Sequence, residues 1–233
     1  MDLVGGEIIL IDKPLGWTSF DVVKRVRGAV QRRLDVKKFK VGHAGTLDPL
    51  ATGVILVVTG RATKRIEELQ AGVKEYVATI ALGATTASFD LETPVDATYP
   101  TDHITEQLVR DTLATFVGVI EQVPPAFSAV KVGGKPAYLM ARRGKEVKLK
   151  PKTLVIDQIE LLEYSPESIK IRVVCSKGTY IRALARDIGR ALGSGGHLTA
   201  LVRTRIGEHT LAECMSVDQA VDIIAAAPIE QEK

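Results

Sequence analysis

The sequence predicts a mixed α/β fold of the α+β class, as a single domain over residues 1–233, and three observations carry that prediction. Strand-like apolar runs and segments of helical spacing interleave along the whole chain, joined by short connections rich in Gly and Pro. No internal repeat, low-complexity tract or long linker breaks the pattern. With 45% hydrophobic and 25% charged residues, a chain of 233 residues can bury a core without help.

The elements follow in order. Residues 7–11 (EIILI) read as a strand, closed by the turn Lys13-Pro14-Leu15-Gly16. Thr18 and Asp21 are spaced as a capping box, and Val22, Val23, Val26, Ala29 and Val30 then recur at helical spacing, which predicts a helix to about Arg33. Residues 54–59 and 76–82 read as buried strands. Leu108, Val109, Leu113, Phe116 and Val117 suit a helix ended by Gly118. Residues 136–143 make a short helix, with Pro at the first turn and Gly144 behind it. Residues 154–162 and 169–175 are two more strands, separated by the Ser165-Pro166 turn. Ile181, Leu184, Ala185, Ile188 and Leu192 mark a helix stopped by Gly193, and Ser216 with Gln219 caps a last one.

Composition narrows the function. No apolar run approaches the ~18 residues a membrane span needs, and Met1-Asp2 opens no charged-then-apolar leader, so a soluble cytoplasmic protein is expected. Cys175 and Cys214 fit no disulfide framework and no metal-ligand spacing, which predicts two reduced thiols and no metal site. The net charge of +3 hides strong blocks: +6 over residues 1–65, −6 over 88–124, +7 over 125–156, +5 over 177–205 and −5 over 206–233. Basic blocks that converge in space would form an anion-binding surface, and nucleic acid is the polyanion they suit best.

One segment asks for more than structure. Residues 42–53 (GHAGTLDPLATG) place three glycines, His43 and Asp48 in a tight loop before a buried strand. Asp-Pro alone is a turn signal. The segment is neither G-x-G-x-x-G nor G-x-x-x-x-G-K-[ST], which disfavours a nucleotide-phosphate cradle and any nucleotide cofactor. Residues 175–182 (CSKGTYIR) again join strand to helix through a glycine and set Tyr180 and Arg182 in the first helical turn. An arginine there could reach a carboxylate held on another loop.

Taken together the chain resembles the TruB-type tRNA pseudouridine synthases. The resemblance rests on IDKPLGWTSFDVV at 11–23, GHAGTLDPLATG at 42–53, KEYVATIALG at 74–83, PPAFSAVKVGGKPAYLMARRGKEV at 124–147 and CSKGTYIRALARDIGRALGSGGHL at 175–198. It implies a mainly antiparallel sheet flanked by helices, a basic RNA-binding insert at about 124–152, and a short form without the PUA-type domain that many relatives carry at the C-terminus. It implies that Asp48 is the catalytic aspartate, that Arg182 is its basic partner, and that Tyr76 stacks on a flipped uridine and assists the chemistry. His43, Tyr180 and Leu201 are implied to line the substrate pocket, and Lys13, Lys131, Lys135, Arg142 and Arg143 to contact RNA. The expected reaction converts uridine to pseudouridine at position 55 of the tRNA T-loop, with no cofactor, no membrane and no obligatory protein partner, in a monomer. A binding module without chemistry would have lost Asp48, Tyr76 or Arg182, and a synthase within a guide-RNA complex is disfavoured by the short C-terminus.

Overall fold

A computed structural model describes residues 2–228, which form two compact units, residues 2–75 with 202–228 and residues 76–201. The first unit opens with β1 (Ile8–Lys13), α1 (Ser19–Leu34), β2 (Val41–Ala44), β3 (Ala51–Thr59) and the short α2 (Ile66–Ala71). β4 (Lys74–Leu82) carries the chain into the second unit. There follow β5 (Ala84–Thr86), β6 (Val95–Thr98), α3 (Glu106–Ala114), β7 (Gly118–Gln122), β8 (Lys131–Val132), β9 (Lys135–Pro136), α4 (Ala137–Ala141), β10 (Lys152–Ser165), β11 (Ser168–Cys175) and α5 (Ile181–Ala191). β12 (Gly196–Ile206) returns to the first unit, which ends with β13 (His209–Thr210) and α6 (Val217–Ala226). The fold is mixed α/β, and the β1–β3, β2–β3, β7–β10 and β10–β11 ladders are antiparallel.

In the first unit β3 pairs with β1 from Ile8↔Val58 to Lys13↔Gly53, and with β2 from Val41↔Thr59 to Ala44↔Leu56. Alternate β3 side chains enter different clusters, which is why its apolar run is unbroken. Ile55 and Val57 join Ile9, Ile11 and Val41 beneath α1 and α6, which contribute Val22, Val26, Val30, Val217 and Ile224. Val54 and Leu56 pack with Ala44 and Ile206. The capping boxes at Thr18/Asp21 and Ser216/Gln219 both form, and start these two helices where the sequence places them.

In the second unit the sheet order runs β4-β11-β10-β7. β11 buries Ile169, Ile171, Val173 and Cys175 on one face, and β4 likewise buries every second residue. α5 is buried nearly all round. Between β7 and β10 the basic insert holds little regular structure. Its β8–β9 hairpin turns on Gly133 and Gly134, whose φ values of 56° and 80° suit a two-residue hairpin turn.

The short strands β5, β6, β8, β9 and β13 lie outside the sequence expectation, and three further elements depart from it. α3 ends at Ala114, and Gly118 (φ 102°) opens β7 instead of stopping a helix, because β10 offers Val119 and Ile120 ladder partners. The 42–53 loop is shorter than expected, since Gly42–Ala44 belong to β2 and residues 51–53 to β3. β12 is a long strand with no clear alternation in its sequence; tertiary pairing makes it. Cys175 is buried and Cys214 half-buried, the latter's thiol pushed up to about 11 by burial. Among the described residues no helix is long and apolar enough to cross a membrane.

Candidate active site around the Asp48 loop

The six residues from Gly45 to Leu50 connect β2 to β3, and Asp48 sits among them, half-buried. The loop is fixed through its backbone. Ser19 Oγ, at the start of α1, donates to Leu47 O (3.0 Å) and accepts from Leu47 N (2.8 Å). Gly16 N donates to Pro49 O (2.8 Å), and Ala51 N to Asp48 O (3.1 Å). Arg203, on β12 and only 1% exposed, sends Nε to Val54 O (2.8 Å), Nη1 to Thr46 O (3.2 Å) and Nη2 to Gly45 O (3.0 Å). One guanidinium thus ties the start of the loop to the strand that follows it. Two of the motif's glycines are demanded by this packing. Gly45 has φ 85°, and a Cβ on Gly53 would lie 2.2 Å from the carbonyl oxygen of Arg203.

Lys13, expected to touch RNA, is instead fully buried: its Nζ donates to Trp17 O (2.6 Å), Pro14 O (2.9 Å) and Pro49 O (3.4 Å). A cation turned inward onto carbonyls cannot meet a phosphate in solvent, so its part is to hold the loop. Burial lowers its pKa from 10.5 to about 8, against the opposing pull of the Asp48 carboxylate. Between about 8 and 10.5 the unfolded chain binds the extra proton, so this site's contribution to stability rises with pH across that window and is least favourable below it. Urea unfolding of wild type and Lys13→Met at pH 7.5 and 9.5 measures it: the stability difference between the two is expected to shift toward wild type at the higher pH, and a constant difference would show that Lys13 does not titrate there. His43, on β2, has its pKa lowered, first by burial and then by the Arg203 guanidinium, which keeps the ring neutral at pH 7.

The second unit holds the remaining candidates. Tyr76, on β4, is 8% exposed and Leu201, on β12, is 9% exposed. Tyr180 precedes α5, where Gln122 grips its backbone, accepting from Tyr180 N (2.9 Å) and donating to Tyr180 O (3.2 Å). Arg182 is buried, with Nη1 on Ser88 O (3.2 Å), Nη2 on Phe127 O (2.9 Å) and Nε 3.7 Å from Asp90 Oδ2. Asp90 was not singled out by the sequence, because a lone acid within an acidic block has no distinguishing spacing. It is itself held, Oδ1 accepting from Ser88 Oγ (2.5 Å) and Glu92 N (2.9 Å), while Arg186 lies 4.8 Å over the Phe89 ring. The loop between β5 and β6 is therefore a rigid socket for the Arg182 guanidinium. The insert connects to the same loop: Arg142 pairs with Glu92 at 2.6 Å and lies 5.6 Å over the Tyr138 ring. Arg143, Lys131 and Lys135 are exposed.

Residues 31–181 match the family described as TruB family pseudouridylate synthase (N terminal domain), and residues 182–232 match the tRNA pseudouridylate synthase B C-terminal domain. The chain belongs to the TruB family. It is 64% identical to the tRNA pseudouridine synthase B of Parabacteroides distasonis over all of both chains, and 64% identical to that of Bacteroides fragilis over 99% of each. Among solved structures, a crystal structure of a Cbf5-Nop10-Gar1 complex matches with TM-score 0.70 and 30% identity over 94% of this chain, which spans about half (54%) of that one. The TruB match runs through the Asp48 loop, the Arg182 socket and the basic insert alike.

Proposed function

We propose that this enzyme isomerises uridine to pseudouridine at position 55 of the tRNA T-loop, acting alone as a cytoplasmic monomer. The observation that supports this best is the Asp48 loop, a carboxylate on a backbone locked by Ser19, Lys13 and Arg203, in a chain of the TruB family. The reaction breaks N1–C1′, turns the base and joins C5 to C1′, with a net shift of one proton from C5 to N1. It consumes no co-reactant. Asp48 acts as the anion, as nucleophile or as stabiliser of charge at C1′. Arg182, held by Asp90 and by the carbonyls of Ser88 and Phe127, supplies the basic group of the site. The uridine leaves its stack at a cost of a few kcal/mol, which stacking on Tyr76 offsets by about 1–3 kcal/mol, in a pocket shared with Tyr180 and Leu201 while His43 contacts the RNA it leaves.

Pure protein incubated with an unmodified tRNA transcript, without metal or nucleotide, is expected to yield pseudouridine at position 55, mapped by carbodiimide labelling and primer extension. An unchanged uridine there, while native cell extract converts it, would overturn the stand-alone reading.

The basic insert and the pocket separate by salt. Replacing Arg142, Arg143, Lys145 and Lys148 with Ala is expected to weaken binding and flatten log K against log salt by about 0.7–0.9 for each phosphate left unneutralised, with little change in single-turnover rate at saturating RNA. Tyr76→Ala is expected to slow that rate and leave the slope alone. An unchanged slope in the first variant would make the insert a solvated face.

A further inference from the structure

The densest charge in the first unit is not at the Asp48 loop. Residues 24–40 contain eight lysines and arginines against a single acid, Asp35. The fold engages some of them: Arg27 Nη2 donates to Val41 O (2.8 Å), Arg33 Nε to Ala227 O (2.8 Å), and Arg25 lies 3.6 Å from Asp218. Lys24, Arg32, Lys37, Lys38 and Lys40 stay exposed and form no ion pair among the described residues.

Shape adds to charge. Trp17, just before α1, and Asp21, Lys24, Arg25, Gly28, Gln31 and Arg32 on its outer side line a groove of about 770 Å³, whose one carboxylate, Asp21, accepts from Thr18 N (2.9 Å) and Thr18 Oγ1 (2.6 Å) at the helix cap. The lining residues' spacing of three and four makes one stripe along a helix of 16 residues, about 24 Å long at 1.5 Å per residue. Gly28 lies at the middle of the stripe, where a Cβ would make only an ordinary contact with the end of the Arg32 side chain, 3.4 Å from Nη1. Phe20, 60% exposed near the N-terminal end with the Arg27 guanidinium 5.9 Å from its ring, offers a stacking face. A bilayer would require bulky apolar groups beside these cations, but the valines of α1 face the core. The same end of the groove is bonded to the Asp48 loop, through Ser19 to Leu47 and Gly16 to Pro49.

We propose that the outer groove of α1 is a second RNA-docking surface, which grips the phosphate backbone of the substrate RNA as it leaves the Asp48 loop. The proposal rests on the action on RNA argued above and adds a place where the RNA is held without chemistry. Lys24 and Arg32 neutralise phosphates, and Phe20 takes an adjacent base.

Two variants test it, neither touching the Asp48 loop. One is Lys24→Glu with Arg32→Glu. The other is Gly28→Glu, which places a carboxylate in the groove and favours the helix, because Gly is a poor interior residue. Filter binding of an unmodified tRNA transcript across a salt series is expected to show at least about tenfold weaker affinity at low salt for both, and a slope smaller by about 0.7–0.9 per phosphate released for the first. Single-turnover rate at saturating RNA is expected to stay within about twofold of wild type. Wild-type affinity and slope in both variants would overturn the docking surface and leave α1 to an acidic protein partner or to solvent. If wild type binds the transcript with this salt dependence but leaves its uridines unchanged, the proposed reaction fails while the docking surface stands.

Discussion

Asp48→Asn is expected to reduce the single-turnover rate on tRNA by about a thousandfold or more, with affinity for the transcript within a few-fold of wild type. The substitution is nearly isosteric, and the loop is positioned through the carbonyls of Gly45, Thr46, Leu47 and Pro49 and the amide of Leu47. These bonds run through the backbone and asparagine keeps the side chain's size, so the loop is expected to keep its path. What is lost is the anion, which an amide cannot supply as nucleophile or as counter-charge at C1′. In the proposed function RNA is held by basic groups elsewhere, so binding is expected to survive. Quench-flow with mapped pseudouridine as the readout decides the matter, and residual turnover above a few per cent of wild type would remove Asp48 from the chemistry.

Arg203→Met is expected to destabilise the first unit more than other single substitutions there, by about 3–5 kcal/mol. The side chain is 1% exposed and satisfies Gly45 O, Thr46 O and Val54 O together. Methionine fills much of the space and leaves three carbonyls without those donors, each costing about 1–3 kcal/mol in part offset by the relief of a buried charge. A fall in Tm of about 10 °C is expected from calorimetry. Arg203→Lys keeps the charge but cannot reach three divergent acceptors, so it should recover only part of the stability and leave the turnover rate depressed, because the loop carrying Asp48 is less firmly held. A Tm within about 2 °C of wild type for Arg203→Met would mean that the loop is held by Ser19 and Lys13 alone.

Much of the molecule was legible because its cues are local. The capping boxes at Thr18 and Ser216, the valine stripe of α1 and the alternation of β11 need only neighbouring residues to act, and each element formed where those cues placed it. The end of α3 and the whole of β12 were not legible, since both depend on which strand lies alongside. The same divide runs through the site. Asp48, Tyr76 and Arg182 stand in motifs whose residue order marks a family, whereas Asp90 and Arg203 are an ordinary acid and an ordinary arginine until the fold sets one 3.7 Å from Arg182 and the other on the carbonyls of Gly45, Thr46 and Val54.

Lys13 shows the difference most sharply. By sequence it is a lysine in an exposed-looking Lys-Pro turn within a basic block, fit for a phosphate. In the fold the turn curls over its own side chain, and the ammonium points inward onto Pro14, Trp17 and Pro49. The order of residues was enough to set the class of fold and the family, and to mark Asp48 as the carboxylate to test, because composition, periodicity and motif order are properties of the chain alone. Which cations face solvent and which face the core was settled only on folding, because a charge is directed by the carbonyls and carboxylates around it, and those come from residues as far apart in the chain as Gly45 and Arg203.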